Sequence, residues 1–150
     1  MQRSLPHQSA GLTSISALLL LCYPVVGSLY PVFPPLLGVV YLKWRDAIKG
    51  TNYPAALYWL LYPLVFEAVW SLPFYGLWVT MILTYRVIEP RIDHLLFDRI
   101  TADIVTVVLF NGTYLLVLLF YQSVTDQIFF TWHPILLYYL LFDMAGVLLF

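Results

Sequence analysis

Long apolar runs divided by short polar or proline-bearing breaks make up this chain. Taken in order, the runs cover Leu12–Tyr30, Pro34–Trp44, Tyr53–Trp70, Pro73–Ile88, Ile100–Tyr121 and Trp132–Phe150. The breaks hold Tyr30-Pro31, Lys43–Asn52, Ser71-Leu72-Pro73, Glu89–Arg99 and Gln122–Thr131. Apolar runs of this length without strand-like alternation predict helices, and helices apolar on all sides predict a lipid surround. The fold class expected is therefore all-α, a single polytopic transmembrane bundle of about six spans.

The second run is the shortest. Its eleven residues rise only about 16 Å as a helix, while a bilayer core is about 30 Å thick. That predicts either an earlier start, within Gly27–Pro31, or a tilted or re-entrant piece buried by its neighbours. The central stretch Tyr53–Ile88 predicts a helical hairpin around Ser71-Leu72-Pro73, with Pro73 opening the second arm. In Glu89–Arg99, the spacing of Ile92, Leu95, Leu96 and Ile100 predicts an amphipathic helix lying at the interface.

Composition sharpens this picture. Of 150 residues, 62% are hydrophobic and 10% charged, far from the roughly 25% charged residues of soluble domains. All seven Lys and Arg fall on one side of a six-span arrangement: Arg3, then Lys43, Arg45 and Lys49, then Arg86, Arg91 and Arg99. This bias predicts that both termini and those two loops are cytoplasmic. Trp44, Trp70 and Trp132 fall at span ends, which predicts indoles at headgroup depth. The lone Cys22 leaves no internal disulfide, and no basic tract points to nucleic acid.

Candidate chemistry is sparse. No HExxH, CxxC, GxSxG or phosphate loop is present, and the three histidines are scattered. No metal, cofactor or enzymatic activity is expected. The Asn111-Gly-Thr113 sequon lies mid-span and is read as a chance match. The acids Glu67, Asp103 and Asp143 remain. Acids at membrane depth are costly and face a bundle interior or a cavity, so they are candidates for an ion path or for packing contacts. Small residues are few, Ala55-Ala56, Ala68, Gly76, Gly112 and Ala145-Gly146, and of these Gly76 and Ala145-Gly146 are the candidate tight crossings.

The central hairpin resembles the rod shape-determining protein MreD. The likeness rests on an acid late in one span, a Ser/Pro turn, a glycine opening the next span and a tyrosine near its end, here Glu67, Ser71, Pro73, Gly76 and Tyr85. The upstream Phe33-Pro34-Pro35-Leu-Leu and Tyr41-Leu-Lys-Trp44 segments extend it, so that it covers Pro34 to Tyr121. Departures are Glu67 where the family has Asp, Tyr62-Pro63-Leu-Val where it has a glycine-rich turn, and Phe33 where it has Arg. The resemblance implies a non-enzymatic, multi-pass protein of the bacterial inner membrane. Its implied partners are a periplasmic scaffold of the MreC kind, the actin-like filament and wall-synthesis enzymes. It implies the six-helix fold shared with vitamin-binding subunits of uptake transporters. Such a subunit is the first alternative function, and a small proton-coupled transporter using Glu67 and Asp143 is the second. The candidate contact residues are Glu67, Ser71, Pro73, Gly76, Tyr85 and Asp143.

Overall fold

The computed structural model describes residues 22–30, 33–95, 98–125 and 135–149. All regular structure among them is helical. A helical segment over 22–29 (α1) is followed by α2 (Leu37–Lys49), α3 (Tyr53–Val69) and α4 (Gly76–Leu83). A π-helical turn, Thr84–Ile88, joins α4 to α5 (Glu89–Leu95); α6 (Arg99–Thr125) and α7 (Ile135–Leu149) complete the order.

The shortest expected span turns out to be the hub. α2 packs against α3, α6 and α7. Leu37 to Leu42 are all buried, and so are Trp44 and Arg45. The Tyr41 ring stacks on Phe110 of α6 at 4.8 Å between centroids. This helix also runs on to Lys49, through residues expected to form a polar loop. Trp44 lies in the core rather than at a headgroup boundary, and meets Tyr85 edge-on at 5.6 Å. With so many buried positions, α2 is enclosed by its neighbours rather than lying on the outside of the bundle.

Helix ends are fixed by local hydrogen bonds. At the end of α2, Asn52 N–H donates to Ala47 O and Thr51 N–H to Ile48 O. This is the Schellman pairing, with Thr51 rather than a glycine in the left-handed position, at φ 57°. α3 ends the same way: Leu72 N–H reaches Glu67 O, and Ser71 is left-handed at φ 52°. α3 itself starts on Asn52, whose side chain accepts from Ala55 N–H. Pro63 is accommodated inside α3.

Several boundaries differ from the expected ones. α4 begins at Gly76, so Pro73 belongs to the turn and is not a first-turn residue. α2 likewise begins at Leu37, two residues after the proline pair. Asn111-Gly-Thr113 does not interrupt α6. Among the described residues, α6 alone, with 27 residues, is long and apolar enough to cross a membrane; α7 contains a shorter apolar stretch, Leu137–Leu148. The first part of the expected first span and Trp132 lie outside the described residues.

The π-helical turn explains why the interfacial helix differs from its expected form. Leu77, Thr80, Met81 and Thr84 face inward, the next inward residue is five positions on at Glu89, and Ile92 follows. The wide turn absorbs the extra residue and returns the same face to the core. Of the expected apolar stripe, Ile92 is buried while Leu95 and Ile100 are exposed; Leu96 lies outside the described residues.

Thr51→Gly is expected to stabilise the protein by about 0.5–1 kcal/mol, because glycine takes the left-handed position without a Cβ clash. The midpoint of thermal unfolding in detergent checks this. An unchanged or lower midpoint would show that the Thr51 backbone is not held left-handed.

Candidate functional site

Two buried carboxylates cap two helix N-termini. Glu67, in the last turn of α3, is fully buried at 0% exposure. Its Oε2 accepts from Tyr75 N–H at 2.8 Å and its Oε1 from Leu77 N–H at 2.5 Å. The first amides of a helix have no intrahelical acceptor and carry the positive end of the helix dipole, so an anion there meets two needs at once. Tyr75 stands left-handed at φ 72° as the N-cap of α4. Gly76 lets the carboxylate close in: a Cβ there would lie 3.2 Å from Glu67 Oε1. The neighbouring Tyr114 of α6 lines the same spot, 3.8 Å from that Cβ position. The Trp78 indole binds Leu60 O at 3.1 Å and ties α4 to α3 a second time.

Asp143 of α7 does the same for α2. It is 2% exposed. Its Oδ2 accepts from Gly38 N–H at 2.7 Å and its Oδ1 from Val39 N–H at 3.3 Å. Asn111 of α6 donates to Oδ2 at 3.0 Å and also to Val107 O. The N-cap of α2, Leu36, is again left-handed, at φ 49°. Gly38 is the closest crossing: a Cβ there would lie 2.5 Å from Val107 Cγ1 and 2.9 Å from Asp143 Oδ2. Gly146 crosses nearby, where a Cβ would stand 2.8 Å from Val39 Cγ2. The prolines ahead of α2 are held as well. The Tyr23 hydroxyl donates to Pro34 O at 2.7 Å, and the Tyr62 hydroxyl donates to Pro35 O.

The third cluster lies where the C-terminal end of α2 meets the starts of α5 and α6. Arg45 donates to Asp103 Oδ1 at 2.8 Å and to Asp46 Oδ1 through two nitrogens at 2.9 and 3.0 Å; Glu89 Oε1 is 3.5 Å away. Lys49 pairs with Glu89 at 2.5 Å, and the Tyr41 hydroxyl donates to Glu89 Oε2 at 3.0 Å. The two basic loops expected on one side of the membrane thus meet at one end of the bundle. Asp98, fully exposed, caps α6 through the Thr101 hydroxyl and amide, and these bonds hold its pKa below the ordinary aspartate value.

Of the six candidate contact residues, Glu67, Ser71, Pro73 and Gly76 come together at one turn. Tyr85 sits apart, against Trp44. Asp143 is distant in sequence from the hairpin but performs the same chemistry as Glu67. Asp103 is the partner of Arg45. Gly112 has nothing within 4 Å of its Cβ position, so it is not a crossing point. Sequence reasoning missed Gly38, Asn111, Arg45 and Glu89. One signal for Gly38 was present: Pro35-Leu-Leu-Gly38 repeats the Pro-x-x-Gly of Pro73-Phe-Tyr-Gly76. No group of three or more metal-binding side chains occurs among the described residues. Neither a known family model, nor a curated protein, nor a solved structure matches this chain. The likeness to MreD therefore rests on the sequence segments named above, and the comparisons add nothing to it.

Glu67→Ala leaves two amides without an acceptor, one of them buried, and is expected to cost about 2–4 kcal/mol. Glu67→Gln keeps one acceptor oxygen and is expected to cost less. Unfolding midpoints of the two variants in detergent check the order; equal midpoints for wild type and Glu67→Ala would remove the cap from the account. Gly38→Ala is expected to cost about 1–3 kcal/mol through overpacking, whereas Gly112→Ala is expected to add about 0.5–1 kcal/mol from helix propensity. The reverse order in the same assay would contradict the packing described around Gly38.

Proposed function

We propose that this chain is a multi-pass integral membrane protein with a structural, scaffolding role and no catalytic step. One observation carries the reading. Apolar side chains line the outer faces of α3, α4, α6 and α7, including Leu57, Leu61, Ile82, Leu116, Phe120 and Leu141, while the buried acids are engaged inside the bundle. A soluble protein rarely leaves so much contiguous apolar surface in water, and lipid removes that cost. The helical runs then lie in the bilayer, with the short α2 shielded by α3, α6 and α7. The Arg45 cluster and the other basic residues face the cytoplasm.

The transporter alternatives fit the geometry less well. A proton or ion path needs a carboxylate open to the path. Both oxygens of Glu67 and both oxygens of Asp143 instead accept backbone amides that have no other acceptor. Removing those bonds during each transport cycle would uncap a helix.

The narrower form of the proposal is carried by the hairpin's resemblance to MreD. It places the protein in a bacterial inner membrane within the cell-elongation machinery, bridging cytoskeleton and wall synthesis, with a scaffold of the MreC kind as a direct partner.

Two measurements test the two levels. Membranes containing the tagged chain are washed in alkaline carbonate; the chain is expected to stay with the pellet, and release into the supernatant would refute membrane integration. Affinity capture in mild detergent is then read by mass spectrometry. Recovery of cytoskeletal and wall-synthesis proteins is expected. Recovery of an ATPase pair or a bound vitamin without them would refute the cell-shape form and favour the uptake-transporter alternative.

A further inference from the structure

The height of the α3–α4 turn can be read from three helices. Gly76, at the start of α4, faces α6: a Cβ there would lie 3.8 Å from Tyr114 and 3.8 Å from Val117. At the other end of the same stretch, Glu89 lies 3.5 Å from Arg45, which binds Asp103 near the start of α6. The stretch from Gly76 to Glu89 therefore runs antiparallel to α6, side by side with it. From the charged cluster to the turn is 11 to 14 residues along α6, 13 from Glu89 back to Gly76, and 14 along α3 from Tyr53 to Glu67. At helical rise each of these amounts to about 20 Å.

We propose that the α3–α4 hairpin is re-entrant: it enters and leaves the bilayer through the basic face, and its turn, residues 71–75, is covered by acyl chains of the far leaflet. A bilayer core is about 30 Å thick, so a turn about 20 Å from the charged cluster stops about 10 Å short of the opposite boundary. α6 goes on past the turn, from Val117 to Thr125. About twenty residues from Asp103 bring α6 to the full thickness, near Ser123, where polar side chains return.

The make-up of the turn agrees with that depth. Between Trp70 and Gly76 no side chain is charged, and Phe74 and Tyr75 are each 57% exposed. Backbone amides in hydrocarbon need acceptors within the protein, whereas at a water-facing turn the solvent would supply them. Here Leu72 N–H donates to Glu67 O, Gly76 N–H to Pro73 O, and the Tyr75 and Leu77 amides to the Glu67 carboxylate, while Pro73 has no N–H to place. The buried acid thus lets the turn stay inside the bilayer. Orientation is unchanged, because replacing two crossings by one hairpin leaves every basic loop on the same side.

This inference rests on the membrane reading, and the test separates the two. Cys22→Ser removes the native thiol. Single cysteines are then introduced as Phe74→Cys, Leu116→Cys and Thr125→Cys, all at exposed positions, and carry a nitroxide spin label. Leu116 lies on the outer face of α6 at the height of the turn, and Thr125 at the far end of α6. The full chain is reconstituted into phosphatidylcholine–phosphatidylglycerol vesicles. Collision of each label with oxygen, which concentrates in hydrocarbon, is compared with collision with a water-soluble nickel complex. The Phe74 label is expected to show the high oxygen-to-nickel ratio of the Leu116 label, and the Thr125 label the reverse. Ser71→Cys, at the other edge of the turn, is expected to match Phe74→Cys, so the result does not hang on one substitution. Nickel broadening at Phe74 as strong as at Thr125, with Leu116 protected, would overturn the re-entrant hairpin and leave the membrane reading standing. Shielding of Phe74 from both reagents would put protein over the turn and overturn it too. Nickel broadening at all three positions would overturn the membrane reading, and this inference with it.

Discussion

A backbone amide in a low-dielectric interior must find an acceptor, and this structure depends on how two sets of them do so. The first amides of α2 and α4 have no acceptor within their own helices and would be orphaned in the buried interior. Asp143 and Glu67 supply the acceptors, each from a different helix. A cap from the same segment fixes only local geometry. A cap from another helix fixes the packing of two elements, so Glu67 sets how α3 meets α4, and Asp143 sets how α7 meets α2. Asn111 extends the second contact to α6.

Both caps use the same construction. A left-handed N-cap residue, Leu36 or Tyr75, turns the chain sharply after a proline segment. A glycine within the first turn then lets the carboxylate reach the amides. Non-glycine residues in left-handed backbone carry strain of about 1 kcal/mol or more. That strain persists because the capped amides and the packed glycine leave the chain no cheaper path. The third cluster complements this at the α2 C-terminal end. The π-helical turn brings Glu89 inward to a site shared by Lys49 and Tyr41, so the polar groups there are partnered across α2, α5 and α6.

The likeness between the two caps bears on function. Acids within long apolar runs invite a transport reading, and Glu67 and Asp143 were the natural candidates. Their surroundings match those of structural anions: helix N-termini, close glycines and, for Asp143, an amide side chain. The third cluster differs in joining cations to carboxylates, Arg45 to Asp103 and Asp46, and Lys49 to Glu89.

Much of this was legible in the residues. Long, uniform apolar runs without strand-like alternation determined that the chain is helical and that its helices expose apolar faces. The break at Ser71-Leu72-Pro73 and the start of α3 at Tyr53 were placed correctly, because turns and caps are local properties, whereas α2 ran on through most of the expected Lys43–Asn52 loop. The acids Glu67 and Asp143 stood out because isolated charge in an apolar run is rare. What the tertiary structure alone decided is partnership. Nothing local relates Asp143 to Gly38, more than a hundred residues away, or assigns Arg45 to Asp103. Nothing local shows that the shortest apolar run lies at the centre, since burial depends on neighbours brought from elsewhere in the chain. The π-helical turn belongs to the same class: its five-residue step is set by the need to present Thr84, Glu89 and Ile92 to one core, a demand that exists only once that core has formed.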